Sequence, residues 1–351
     1  MQTIIAKIGE DKAENERILQ KAADIIKSGG LVAFPTETVY GLGANALDKS
    51  AAEKIYSAKG RPSNNPLIIH LANALDADRY AYVNESFTLL SKAFMPGPVT
   101  AILKKRDNIP SAVTGGLDSV AVRVPSHSVA KRLIELSGVP IAAPSANTSG
   151  RPSPTSAEHV IEDLDGKIDM IIDAGSSNIG LESTIVKLDT DKPVLLRPGK
   201  VTLDSLEALF GEVGVDKAVT EKLSEGERPL APGMMYRHYA PKAPLTLFDG
   251  SDEAFLELIQ NNSREGLAVI AFDEDFEALL SVGVKEDNIL SLGKRDDTKS
   301  HAAHLFAVLR QCDSENFKQI YARLPARTGL SLALYNRIVK ASGYNIISGR
   351  E

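Results

Sequence analysis

Residues 59–70 read Lys59-Gly60-Arg61-Pro62-Ser63-Asn64-Asn65-Pro66-Leu67-Ile68-Ile69-His70. A helical pattern over 48–58 stops at Gly60, and Leu67-Ile68-Ile69 is an apolar run of strand length, so the stretch joins a helix to a strand. The same alternation continues on both sides and makes the chain an α/β protein. Pro62 and Pro66 restrict the backbone and bar a helix. They pin a loop carrying two cations, Lys59 and Arg61, and two amides, Asn64 and Asn65. Arginine grips phosphate oxygens as a fork, lysine as a compact charge. A plain charged turn would look the same in isolation, and a cation at a helix C-terminus is favoured by the helix dipole without a ligand.

Upstream, residues 11–28 show a helical apolar face of Ile18, Leu19, Ala22, Ile25 and Ile26, stopped by Gly29-Gly30. A short strand, 31–34, runs into Pro35-Thr36-Glu37-Thr38-Val39-Tyr40-Gly41-Leu42-Gly43. Hydroxyls, a carboxylate and two glycines after a strand suit a ligand loop or a capped strand-to-helix turn. Downstream, helices are expected at 85–94 and 127–137, with a strand at 99–103. Ser119–Val124 alternates, with valines on one face and Ser119, Ala121 and Arg123 on the other. Arg123 can then reach into a cleft, or the strand is an edge with a solvated face. A second polar loop follows the strand at 141: Pro144-Ser145-Ala146-Asn147-Thr148-Ser149-Gly150-Arg151-Pro152-Ser153. Thr155 and Glu158 have the spacing of a capping box. Strands at 168–173, 181–186 and 194–199 and a helix at 204–210 complete the first domain, residues 1–228.

Residues 229–244 are rich in proline (Pro229, Pro232, Pro241, Pro244) and read as a semi-rigid linker. Tyr236, Arg237 and His238 are too sticky and basic for a passive spacer, which makes the segment a candidate lid. Residues 245–351 alternate strands (245–248, 267–272, 288–292, 318–323) with helices (252–261, 299–311, 329–342), a small open α/β domain.

Composition narrows the function. The 351 residues carry a net charge of −6 and no Trp, which argues against a nucleic-acid clamp or a base-stacking platform. Residues 245–351 hold 12 Lys and Arg against 16 Asp and Glu, leaving 28 against 30 for the rest, so neither part is basic. One cysteine, Cys312, excludes an internal disulfide, points to a reducing compartment and reads as a small hydrophobe. With no signal-like N-terminus and no apolar run of spanning length, the expectation is a cytoplasmic protein that does not enter a membrane. There is no P-loop, no G-x-G-x-x-G, no G-x-S-x-G and no Cys/His metal cluster; His301 and His304, spaced i, i+3, lack an acidic partner motif. What remains is positive charge with neutral hydrogen bonders: Lys59, Arg61, Arg123 and Arg197, with Asn65, Ser145, Asn147, Ser153 and Ser183. That set suits a reaction among anions, where catalysis is positioning and charge stabilisation, as in phosphoryl or nucleotidyl transfer.

Four blocks in order, Pro35–Leu42, Lys59–Leu67, Pro144–Asn147 and Glu182–Ile185, resemble the signatures of the YrdC-like threonylcarbamoyl-AMP synthases, and the whole chain resembles their long two-domain form. The resemblance implies a YrdC-like twisted open sheet with flanking helices, joined by the linker to a small Rossmann-like domain. It implies a nucleotidyltransferase that converts L-threonine, bicarbonate and ATP to threonylcarbamoyl-AMP and pyrophosphate, the product passing to the machinery that modifies tRNA. By that similarity Lys59, Arg61, Asn65, Ser119, Ser145, Asn147, Ser153 and Arg197 hold ATP, with Lys59 and Arg61 catalytic. Thr38, His70, Arg123 and Ser183 hold threonine, Arg123 through its carboxylate. Mg²⁺ would accompany the phosphates through few protein ligands, which the sequence does not name. Two alternatives belong to other classes. A double-stranded RNA-binding module, or weak RNA contact beside the enzyme activity, fits the fold but not the acidity. A carbamoyl-phosphate-dependent hydrogenase maturation factor would need cysteine-rich zinc segments that one Cys cannot build.

Overall fold

The computed structural model describes residues 2–222, 230–231, 239–315 and 317–349. They fall into two compact units, Met1–Ser149 with Ser153–Met235 and Gly150–Pro152 with Tyr236–Glu351, so the division lies within the 229–244 segment and not at either of its ends. Tyr236, Arg237 and His238 lie outside the described residues.

In the first unit, β1 (Ile4–Lys7) and α1 (Lys12–Lys27) precede a hairpin, β2 (Val32–Phe34) and β3 (Gly41–Asn45). Then come α2 (Lys49–Lys59), β4 (Ile68–His70), α3 (Glu85–Phe94), β5 (Val99–Lys104), α4 (Ser111–Thr114) and β6 (Ser119–Arg123). The unit closes with α5 (Ser128–Ser137), β7 (Ile141–Ala142), α6 (Ala157–Leu164), β8 (Met170–Asp173), β9 (Thr184–Lys187), β10 (Val194–Arg197), α7 (Leu203–Phe210) and β11 (Gly214–Val215). The strands make one mixed sheet, ordered β1-β8-β2-β3-β7-β4-β6-β5-β9-β10-β11. Helix ends follow local chemistry. Asp11 and Asp48 accept the first N–H groups of α1 and α2, and Gly60 closes α2 at φ 60°, a conformation that suits glycine.

The two faces of the sheet are covered unequally, and this makes the site. One face packs Ile69, Val99, Ala101, Val120, Val122 and Val186 against α2, α3, α6 and α7 in the main core. On the other face α1 and α5 bury Val32, Phe34, Ile141 and Met170. Farther along that face, Ile68, Ala121, Ile102, Ile185 and Leu196 meet Ala218 and Ala231, with no α-helix of the unit in the cluster. Helices thus leave a trough over β4, β6, β5 and β9.

Three local expectations are corrected. Gly41-Leu42-Gly43 is the start of β3, not loop, and a Cβ on Gly43 would lie 2.7 Å from Phe34, so that glycine serves strand packing. β6 lies between β4 and β5, and Val120–Arg123 are all buried, so it is no edge strand. Thr155 and Glu158 form no capping box: Ser156 is the N-cap of α6 without a side-chain cap bond, and Thr155 pairs with His159.

The second unit contains β12 (Leu245–Asp249), α8 (Asp252–Asn262), β13 (Leu267–Ala271), α9 (Phe276–Ser281), β14 (Ile289–Ser291), α10 (Thr298–Ser314), β15 (Gln319–Arg323), α11 (Ser331–Ala341) and β16 (Ile346–Ser348). Its sheet is wholly parallel, ordered β14-β13-β15-β12-β16. Crossover helices bury such a sheet, which accounts for its continuous apolar strands. α9 and β16 had not been anticipated. Cys312 is buried, and burial pushes its thiol pKa up to about 12, consistent with a packing role. No helix among the described residues is long and apolar enough to cross a membrane.

Candidate active site

Strand register sets the site's geometry. His70 pairs with Arg123 across β4 and β6, and Arg123 pairs with Thr100 across β6 and β5. Thr100 Oγ1 lies 2.7 Å from Ser183 Oγ, just ahead of β9. One row of polar side chains therefore crosses β4, β6 and β5 on the trough face and ends at Ser183, the residue before β9. Toward the other end of β6, Ser119 stands four residues from Arg123 and hence on the same face. Carried back two residues, the register that pairs Ile68 with Ala121 sets Ser119 level with Pro66. The two levels are about 13 Å apart at strand rise.

The Arg61 guanidinium closes the loop that precedes β4, donating to Asn65 O at 3.3 Å and Pro66 O at 3.0 Å. Asn65 is buried, and its Oδ1 has no hydrogen-bond partner. Lys59, at the end of α2, reaches the second polar loop: Nζ donates to Ser145 O at 2.6 Å, to Asn147 O and, at 3.3 Å, to Asn147 Oδ1. Ser145 Oγ donates to the same amide oxygen at 2.6 Å. Lys59 is thus a tie between two loops as well as a charge. Ser153 donates to Glu182 at 2.6 Å, and Arg197 holds Ser183 through its carbonyl (3.0 Å) and hydroxyl (3.2 Å).

The 35–40 segment folds back over the trough. The Phe34 ring stands edge-on to His70, Thr38 Oγ1 lies 2.8 Å from Thr36 Oγ1, and the carbonyls of Glu37 and Thr38 accept from Ile179 and Gly180. Glu37 Oε1 lies 2.8 Å from Arg123 Nη2, with both side chains buried. Burial is the largest single influence on the Glu37 carboxyl and works to raise it, but the charge and contact of Arg123 together with the backbone of Glu37 and Ser126 outweigh it and hold the group below the usual carboxylate range. Burial, and then Arg123, push His70 down to about 3, so its ring is neutral; Nδ1 lies 3.2 Å from Ile68 O. Burial also lowers His127, against the pull of Glu37.

The structure therefore gathers Thr38, His70, Arg123 and Ser183 at one end, and Lys59, Arg61, Asn65, Ser145 and Asn147 around two loops tied by Lys59. Sequence reasoning passed over Glu37, Thr100, Glu182 and His127 as site residues. Thr100 carried a signal, a hydroxyl inside the apolar run 99–103. Glu37 and Glu182 stood inside quoted motifs, and nothing local marked His127. Among the described residues, no group of three or more His, Cys, Asp or Glu side chains could hold a metal.

Comparisons with known proteins agree over both units. The Sua5–YciO–YrdC family, described as "Telomere recombination", matches residues 24–199, and "Threonylcarbamoyl-AMP synthase, C-terminal domain" matches residues 201–343. The chain is 46% identical over 349 residues to a threonylcarbamoyl-AMP synthase of Pyrococcus abyssi, covering 98% of this chain and 99% of that one. It is 44% identical over 343 residues to a Bacillus subtilis protein of the same name, covering 97% of each. The crystal structure of P. abyssi Sua5 complexed with L-threonine is similar at a TM-score of 0.89 and 44% identity, covering 100% of both chains.

Proposed function

The chain belongs to the Sua5–YciO–YrdC family in its two-domain form, and on that premise we propose that it is an L-threonylcarbamoyladenylate synthase. It takes L-threonine, bicarbonate and ATP to threonylcarbamoyl-AMP and pyrophosphate. The observation that carries this reading is the pair of polar levels on the sheet face where no α-helix of the unit joins the apolar cluster. Arg123, His70 and Ser183 suit an amino acid, and about 13 Å along β6 lie the loops of Arg61, Asn65 and Ser145, which suit a triphosphate.

The amine nitrogen of threonine first bonds to the carbon of bicarbonate, releasing water and a proton. A carbamate oxygen then attacks the α-phosphorus, and the bond to the β,γ-pyrophosphate breaks. Arg61 offsets charge on the phosphates. Lys59 contributes its charge while keeping the 145–147 loop against α2, and Arg197 and Ser153 hold the 182–183 segment that bounds both ends. The neutral His70 accepts or donates a hydrogen bond without adding charge beside Arg123. Mg²⁺ belongs with the nucleotide as its counter-ion. The described residues offer no cage for it, and Mg²⁺ keeps most of its shell as water and phosphate oxygen.

The linker completes the reading as a lid. Threonylcarbamoyl-AMP is a labile mixed anhydride, so excluding water while it forms has a chemical purpose. Ala231 supports this, since it is fully buried against the trough-face residues Ile68, Ala121 and Ile185. The product then passes to the tRNA threonylcarbamoyl transfer machinery, in the cytoplasm.

Labelled bicarbonate, threonine and ATP test the proposal. Pyrophosphate release must require all three, and release without threonine or bicarbonate overturns it. A gel shift with double-stranded RNA at two salt concentrations tests the binding alternative, whose phosphate-driven affinity would collapse as salt rises.

A further inference from the structure

The proposed function uses Arg123 for a substrate carboxylate, yet nothing in it requires a carboxylate beside Arg123. Glu37 stands there at 7% exposure, against 4% for Arg123, with 2.8 Å between Oε1 and Nη2. A buried ion pair is tolerated when further hydrogen bonds satisfy its remaining lone pairs and protons, because both charges have left water. Here they do not. Both carboxylate oxygens of Glu37, and Nε and Nη2 of Arg123, lack a hydrogen-bond partner. The guanidinium and the backbone of Glu37 and Ser126 lie near enough to hold Glu37 ionised, but none of these approaches is aligned as a hydrogen bond. The pair is one cation and one anion side by side, with donors and acceptors to spare.

An α-amino acid at neutral pH is the complement of such a pair. Its carboxylate needs the guanidinium, and its ammonium needs an anion. The other groups at that level cannot supply the anion: His70 is neutral, and Thr38, Thr100 and Ser183 carry hydroxyls. The nearby Glu182 accepts from Ser153.

We propose that Glu37 is the α-ammonium anchor of the amino-acid site. In the free protein it occupies Arg123 as a stand-in for the substrate carboxylate, and the zwitterion then bridges the two. This assignment rests on the function proposed above. It also gives the site a direction. Carboxylation turns the cationic amine into an anionic carbamate, so the carboxylate that held the amine now repels its product toward the cations of the other level.

Calorimetric titration of the full-length chain tests it, with L-threonine and with the 2,3-dihydroxybutanoate that carries a hydroxyl in place of the ammonium. The unaltered protein is expected to prefer threonine by about 10- to 100-fold, the worth of a charge-assisted contact. In Glu37→Gln that preference should shrink to within about 3-fold, with ATP binding as the check on folding. Retained preference in Glu37→Gln overturns the assignment. So does an equal loss of both ligands, which would mean that Glu37 only holds Arg123 in place. If Glu37→Gln fails to bind ATP, Glu37→Asp decides: it keeps the anion and must keep the preference, and losing it refutes the assignment. No threonine binding by the unaltered protein would overturn the functional reading itself, and this inference with it.

Discussion

Each unit sets arginine against aspartate or glutamate near the ends of its strands, and the two clusters are finished differently. In the second unit Arg323 meets Asp252 at 2.8 Å and Asp275 at 3.2 Å, and Arg295 meets Asp252 at 3.0 Å and also Asp275. Each guanidinium also stands over a ring: Arg323 is 4.2 Å from the centre of Phe255, and Arg295 is 5.3 Å from that of Phe272. Arg295 and Arg323 border a cavity of about 270 Å³ whose wall is otherwise largely apolar, with Ile270, Leu292 and Leu334. That quartet is satisfied by its own chain. The Glu37–Arg123 pair is more deeply buried and has unmet capacity. Charges that complete one another serve as scaffold, whereas charges held out of water with capacity to spare are set for something that comes and goes.

The strongest way to break this contrast is Arg123→Ala. Leaving Glu37 buried without its partner should cost about 3–5 kcal/mol in denaturant unfolding of the first unit. It should also raise the KM for threonine far more than that for ATP. Replacing the pair together, Arg123→Met with Glu37→Leu, should recover most of the stability and none of the threonine use. An equal rise in both KM values would move Arg123 to the nucleotide.

Arg61→Ala comes next. Its expected loss is about 100-fold in pyrophosphate release, on the order of 3 kcal/mol, with incomplete rescue by Lys because the fork is gone. Full turnover by the folded variant would remove Arg61 from the chemistry.

The third test is pH. His70 titrates near 6.5 when unfolded and near 3 when folded, so acid favours the unfolded chain. Its stabilising share is whole above pH 6.5 and is lost as pH falls toward 3, at up to about 1.4 kcal/mol per pH unit. His70→Gln should flatten the stability profile between about pH 6.5 and 4.5. An unchanged slope would mean that the ring is not held neutral.

Smaller still, Asp252→Asn should change stability by no more than about 1 kcal/mol, since its side chain is 53% exposed, and should leave turnover alone. A loss of turnover would give the second unit's quartet a part in catalysis. Last, protease cutting between residues 234 and 242 should slow severalfold only when ATP and threonine are both present. Unchanged cutting would leave the linker a tether.

Much of this could be read from the chain. The α/β alternation, the caps at Asp11 and Asp48 and the stop at Gly60 are local matters of periodicity and backbone conformation, and the elements formed where those signals stood. The candidate site's cations could be singled out too, because Lys59, Arg61, Arg123 and Arg197 interrupt short apolar or proline-bounded segments where a charge has little local reason to be.

The pairing of those charges lay beyond the sequence. Glu37 and Arg123 are 86 positions apart, and Lys59 and Ser145 likewise. Gly41 and Gly43 looked like a ligand loop because a packing glycine and a ligand glycine have the same side chain, and only the neighbour, Phe34, tells them apart. Local sequence determined which segments are helix or strand and which residues are charged, since those depend on a few neighbouring dihedrals and side chains. Tertiary structure alone decided which charges are satisfied and which await a partner, because desolvation and strand register depend on what the rest of the chain brings alongside.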